Sequence, residues 1–240
     1  MILRAVRDFW SASSARSGKR LNDIAAAHYA TADQTRKPKE YFEIYAAMLG
    51  KFVGKRIKML ELGVFSGASL AIWHEYFRRG SIVGLDLSPV PDKLKDLVAT
   101  GHIQFVRGDQ SDPAVLDQAI RLTGGDGFDV IIDDASHVGI LSKASFHYLF
   151  RNGLKPGGYY FIEDYGTGYM RGFPDGAPYV EPAGGELNMF PSHHFGMVGW
   201  MKQLVDETNR GEFTPDHRPY YPIASLTFWP SIALVRKTGS

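Results

Sequence analysis

The chain has 240 residues, of which 44% are hydrophobic, 22% charged and 13% aromatic, with a formal net charge of +1. That length suits one sizeable domain with a substantial core, the balanced charge excludes a nucleic-acid surface held by bulk electrostatics, and no apolar run approaches the ~18 residues that span a bilayer. With no cysteine there is no disulfide, thiol nucleophile or thiolate-bound zinc; Met1 to Asp8 lacks the apolar core of a secretory signal, so the cytoplasm is the expected location.

Residues 1–20 are weakly patterned, and Ser11 to Ser17 reads as disorder. Leu21, Ile24, Ala25 and His28 at helical spacing predict a short helix, followed by a polar turn at Thr31–Thr35. Pro38 suits the first position of a second helix. Its apolar stripe, Tyr41, Phe42, Ile44, Tyr45, Met48, Leu49 and Phe52, ends at Gly54. Core packing is the plain reading of Tyr41 and Tyr45, and one wall of a pocket is the other. From Ile57 the pattern changes to short apolar runs alternating with helices. Strands are expected at 57–62, 81–86, 102–106, 128–133 and 159–162, and helices at 68–77, 92–99, 113–122 and 141–150, with Gly157-Gly158 turning into the fifth strand. Such alternation implies parallel strands joined by right-handed crossovers.

Between Tyr165 and Ser192 the periodicity vanishes, and six glycines and four prolines fall in the stretch. A structureless loop of that length is usually a lid or binding loop, so a lid is expected at about 165–194. Its rings include Tyr169, Phe173, Tyr179 and Phe190. His193 and His194 precede a helix from Phe195 to Arg210 that Gly211 should stop; capping and solvent exposure are their plain reading, and a substrate contact from the lid is the other. Ala224–Phe228 and Ser231–Val235 read as a closing hairpin. The expected fold is α/β, a doubly wound, Rossmann-like, seven-stranded sheet with one antiparallel strand near the C-terminus. Residues 1–55 would be a helical segment packing on a catalytic domain at 56–240.

The turn after the first strand, Glu61-Leu62-Gly63-Val64-Phe65-Ser66-Gly67, sits where such a sheet binds a nucleotide: glycine lets the backbone pass beneath a ligand, and the helix N-terminus offers N–H groups. Its Gly-x-x-x-Gly spacing is neither the dinucleotide fingerprint nor a Walker loop, which counts against a nicotinamide dehydrogenase. Asp86 ends the second strand, where a carboxylate can accept both hydroxyls of an adenosine ribose. Asp109 and Gln110 follow the third strand, where a polar cluster can meet an adenine edge; helix capping is the alternative for Asp109 and Asp112.

Two acidic pairs close the fourth and fifth strands: Asp133-Asp134, three residues before His137, and Glu163-Asp164 thirty residues later. The plain reading of either pair alone is a helix cap or solvated turn, and that of His137 alone a structural hydrogen-bonding residue. Together, at the ends of neighbouring strands ~5 Å apart, four carboxylates call for a cation, and oxygen donors without cysteine suit magnesium or calcium. Successive side chains point to opposite sides, so one of Asp133 and Asp134 can turn to the metal while the other anchors backbone or approaches the cofactor. His137 is better placed as a base than as a ligand.

The glycine loop, Val83-Gly84-Leu85-Asp86 and the Gly108-Asp109 cluster resemble the class I S-adenosylmethionine-dependent methyltransferases over roughly 57–236. More narrowly, Ile132-Asp133-Asp134-Ala135-Ser136-His137 with Ile162-Glu163-Asp164 is similar to the metal-dependent sugar O-methyltransferases of macrolide biosynthesis, those of the mycinamicin type. Their upstream Thr-Asp-Lys turn with spaced His and Tyr is partly echoed by Thr31–Gln34 and Tyr41 with Tyr45. The resemblance implies S-adenosylmethionine held around Glu61, Gly63, Ser66, Gly67, Asp86, Asp109, Gln110 and Asp133. It implies magnesium on Asp134, Glu163 and Asp164, and His137 as general base. The substrate would be a small molecule, a sugar moiety of a natural product in antibiotic biosynthesis; nucleic acid and membrane are not expected partners, and homo-oligomerisation stays open. A catechol-type metal-dependent methyltransferase and a non-catalytic cofactor-binding protein are the rival readings.

Overall fold

The computed structural model describes residues 12–29, 35–179, 193–213 and 219–239; the expectations for 1–11, the turn at 31–34 and the lid portion at 180–192 lie outside them. The chain divides into two compact units, Met1–Arg107 and Gly108–Ser240.

In the first unit, helices α1 (Ala12–Tyr29) and α2 (Lys39–Leu49) precede β1 (Lys58–Leu62), α3 (Ala68–Tyr76), β2 (Ser81–Asp86), α4 (Lys95–Ala99) and β3 (Ile103–Arg107). The strands run parallel in the order β3-β2-β1, with Lys58 opposite Ser81 and Ile82 opposite Ile103. β1 and β2 are buried almost end to end, which is why they read as apolar runs, broken in β1 only by Glu61, rather than as alternating ones. α2 buries Tyr41, Phe42, Ile44, Tyr45, Ala46 and Leu49. Tyr45 meets the Trp73 ring edge-on at 5.0 Å and Phe42 meets it at 6.0 Å; such pairs contribute about 0.5–1.5 kcal/mol beyond their buried area. Tyr41 and Tyr45 are therefore core residues.

Three local expectations change here. Residues 12–17 are helical rather than disordered, and α1 packs against α2 and α3. Pro38 is the N-cap of α2, whose end passes at Leu49 into a 3₁₀ turn, Gly50–Phe52. The helix expected at 92–99 is a 3₁₀ turn, Asp92–Leu94, leading into α4.

In the second unit, α5 (Pro113–Arg121), β4 (Phe128–Asp133), α6 (Gly139–Asn152), β5 (Leu154–Glu163), α7 (Gly196–Phe213), β6 (Ile223–Trp229) and β7 (Ile232–Lys237) follow in turn. β4 and β5 are parallel neighbours, with Asp133 opposite Ile162, which sets the two acidic pairs at the same end of adjacent strands. β7 runs antiparallel to β5 and to β6, so it is the single reversed strand. The seven strands are those of the expected mostly parallel, Rossmann-like sheet.

Asp112 caps α5 by accepting from the Ala114 amide at 2.8 Å, with Pro113 at the first helical position. Lys237 donates to the Phe150 and Leu154 carbonyls at 2.6 and 2.7 Å, satisfying acceptors around the end of α6. Two boundaries differ from the sequence reading. β5 begins at Leu154 rather than Tyr159, and its Pro156-Gly157-Gly158 run is absorbed where the register with β4 shifts between Phe128 and Val130. α7 continues through Gly211 to Phe213. Among the described residues no helix is long and apolar enough to cross a membrane.

Candidate active site

The loop between β1 and α3 turns tightly, with Gly63 and Gly67 at φ 82° and 84° and Phe65 also left-handed at 48°. Asp86, at the end of β2, fastens it. Its Oδ2 accepts from the Val64 and Phe65 amides at 2.7 and 3.1 Å, and its Oδ1 from the Ser88 amide at 2.8 Å. Partial burial raises the Asp86 carboxyl, but these amide bonds outweigh it and hold the group below its ordinary value. A carboxylate has about four acceptor positions, so a ribose at Asp86 would have to share with these donors. Gly63, Ser66 and Gly67 leave the loop backbone and the start of α3 suited to a nucleotide-type ligand.

Glu61 is fully buried on β1, and the sequence reading missed its partners. Lys37, only 6% exposed, places Nζ 3.1 Å from Glu61 Oε1, and Ser69 donates to Oε2 at 2.9 Å. The Lys37 backbone is itself anchored: its amide donates to Thr35 Oγ1 and its carbonyl accepts from the Tyr29 hydroxyl. A lysine directly before Pro38 and its helix was the available signal. Breaking a buried ion pair strands the remaining charge, at about 3–5 kcal/mol. Lys37→Met is therefore expected to lose about that much stability, read as a lower urea midpoint with an unchanged slope.

After β3, Asp109 is exposed and accepts from the Ser111 amide and hydroxyl, both at 2.7 Å, so it folds a local turn. Gln110 and Asp133 are buried together. Gln110 Nε2 donates to Asp133 Oδ1 at 3.2 Å and Ser145 Oγ at 3.1 Å, while its Oε1 accepts from the Ser136 amide at 3.0 Å. Ser145 in turn donates to Asp133 Oδ2 at 3.1 Å. Full burial pushes the Asp133 carboxyl up to about 7. Hydrogen bonds from Ser145, the Ala135 amide and Gln110 oppose the rise, and the neighbouring Asp134 charge adds to it. This network ties the Asp134–His137 turn to the end of β4 and to α6.

Asp134, His137 and Asp164 each offer a ligand atom, and the three atoms lie within 4.8 Å of one another. His137 Nε2 is 3.9 Å from Asp134 Oδ1 and 3.9 Å from Asp164 Oδ2, too far for a hydrogen bond to either. Asp134 and Glu163 also present carboxylate oxygens within 4.8 Å of each other, and Glu163 is 1% exposed. Asp134 thus lies near both carboxylates of the later pair. His137 and Asp164 both hold left-handed backbone at φ 53°, a conformation that costs non-glycine residues energy and gathers at functional sites. Carboxylate oxygens with one imidazole and no thiol form a donor set that fits a hard dication.

Beyond Asp164, the segment expected to form the lid starts as a 3₁₀ turn, Tyr165–Tyr169. Phe173 packs edge-on against His137, with ring centroids 6.3 Å apart. His193 is buried rather than solvated: Nε2 bonds the Gly168 carbonyl at 2.6 Å, Nδ1 accepts from the Phe195 amide, and the ring stacks on Tyr179. That pattern gives the ring a structural role. His194 is exposed.

No family model matches the chain. Mycinamicin VI 2''-O-methyltransferase of Micromonospora griseorubida is 33% identical over 195 residues, covering 76% of this chain and 44% of the relative. The 8-demethyl-8-alpha-L-rhamnosyl tetracenomycin-C 2'-O-methyltransferase of Streptomyces olivaceus is 32% identical over 212 residues, covering 83% and 50%. Among solved structures, the MycE methyltransferase of the mycinamycin pathway, in complex with Mg and SAH, superposes with a TM-score of 0.70 at 28% identity, covering 91% of this chain and 54% of MycE. The chain therefore spans about half the length of these relatives. It is a homologue of the sugar O-methyltransferases of macrolide and polyketide pathways, and it has their Rossmann-like methyltransferase fold.

Proposed function

We propose that the protein is a magnesium-dependent O-methyltransferase that moves a methyl group from S-adenosylmethionine to a hydroxyl of a small molecule, a sugar moiety of a natural product. The observation that carries this reading is the cluster of Asp134, His137 and Asp164 ligand atoms within 4.8 Å, in a homologue of enzymes named for such a transfer. MycE has also been solved with Mg, SAH and mycinamycin VI together, which supports a glycosylated acceptor.

Asp134, Glu163 and Asp164 would hold the metal. The Gly63–Gly67 loop would hold the cofactor, with Asp86 keeping the loop in shape. When bound, the sulfonium supplies an electrophilic methyl and the dication lowers the cost of deprotonating a sugar hydroxyl. His137 would accept that proton at Nε2. Phe173, packed against the His137 ring, would limit water there. The cysteine-free composition suits work in the cytoplasm.

The test is an assay of the purified full chain with S-adenosylmethionine, Mg2+ and a deoxysugar-bearing macrolide, reading the methylated product by mass. Excess chelator is expected to stop turnover while cofactor binding, followed by calorimetry, persists. Full turnover in excess chelator would overturn the metal assignment. Cofactor binding without turnover on any glycosylated acceptor would favour a non-catalytic binding protein.

A further inference from the structure

Asp175 lies in the turn-rich segment that follows Asp164, and it is buried at 5% exposure. Its Oδ2 accepts from the Gly139 amide at 2.6 Å and from the Met197 amide at 2.7 Å. These are the first N–H of α6 and the second of α7. One oxygen therefore satisfies orphan donors at the N-termini of two helices, the ends at which a negative charge is favoured.

The chain is built to let this happen. A Cβ on Gly139 would stand 2.2 Å from the Gly196 carbonyl carbon, and one on Gly196 would stand 2.3 Å from Asp175 Cγ. Only glycine at both positions lets the two helix starts and the carboxylate meet. The contact joins the two stretches that carry the acidic cluster. Gly139 is two residues after His137, and Asp175 is eleven residues after Asp164. On its other side, the His137 turn is held by the Ser136 amide on Gln110. Asp175 supplies the tie to the segment leaving β5, and Phe173 in that segment touches the His137 ring.

We propose that Asp175 is a positioning residue: by pinning the segment after Asp164 to the start of α6, it sets the separation of Asp164 from His137 and Asp134. This inference rests on the metal-dependent reading above. Asp175 does not itself touch the cluster. It acts through the geometry of the two loops, so its loss should weaken metal binding and turnover together while leaving the affinity for S-adenosylmethionine alone.

The experiment uses the full chain with Mn2+ as the probe, its binding followed by electron paramagnetic resonance, beside kcat and the KM for S-adenosylmethionine. Outer partners of metal ligands typically change affinity or activity by about 10–100-fold. Asp175→Ala is expected to weaken Mn2+ binding and lower kcat by about 10-fold or more, with that KM within about twofold. Asp175→Asn retains an oxygen able to accept both amides and should recover most of the loss. If the alanine variant does not fold, Asp175→Glu carries the test: it keeps the charge but lengthens the tie, and the same joint loss is expected. Unchanged Mn2+ affinity in folded variants, from a wild type that binds Mn2+, overturns the role of Asp175 alone. A wild type that binds no Mn2+ overturns the metal reading and this inference with it.

Discussion

Replacing Asp134 and Asp164 together by alanine is expected to abolish metal binding and lower turnover by about 10³-fold or more. Each side chain has a carboxylate oxygen 3.9 Å from His137 Nε2, and Asp134 is also the carboxylate that approaches Glu163. Removing them leaves Glu163 as the one carboxylate of the assigned metal set, and a hard dication that prefers six or more oxygens holds poorly to a single charged ligand plus water. The activating effect lost is worth several kcal/mol, and each 1.36 kcal/mol is tenfold in rate. Thermal unfolding separates this from simple misfolding. Mg2+ should raise the Tm of the wild type, since a ligand that binds only the folded state stabilises it by mass action, and should leave the Tm of the double variant where it was. An equal Mg2+-induced shift in both proteins would remove these two residues from the metal site.

The parts of this arrangement that could be read from the sequence share a physical cause. β1, β2 and β4 lie within a residue of their expected places because parallel strands bury both faces and leave short apolar runs, Ile82–Leu85 and Val130–Ile132 among them. The acidic pairs were legible as neighbours because each closes such a strand. What escaped depends on tertiary context. Residues 12–17 carry no apolar period, and their helix is continuous with one that packs on α2 and α3. Pro156-Gly157-Gly158 has the composition of a turn, yet a register shift admits it to β5. His193 gives no sign in sequence of the Gly168 carbonyl that buries it. Asp175 stands in a Pro-Asp-Gly run that normally marks a solvated turn; only the two glycines far from it in the chain, Gly139 and Gly196, make room for its contact.

His137→Ala is expected to lower kcat by about 10²–10⁴-fold, the range for loss of a positioned general base, while Mn2+ stays bound. The expectation follows from where Nε2 sits. At 3.9 Å from both Asp134 and Asp164, it is held in a hydrogen bond by neither, and it stands beside the oxygens assigned to the metal, where an acceptor hydroxyl would be presented. The backbone at position 137 is left-handed, at φ 53°, so a strained alanine could lower the rate for a reason unrelated to proton transfer. His137→Asn answers this, because asparagine tolerates that conformation well but its amide is no base at neutral pH. Both variants should lose turnover alike, and with the base gone the remaining rate should climb with pH as hydroxide takes over the proton. A normal rate in His137→Asn would rule out His137 as the proton acceptor. Loss of Mn2+ in both variants would instead make the imidazole a ligand, and the three-membered cluster would then be the metal site in full rather than a metal site with its base alongside.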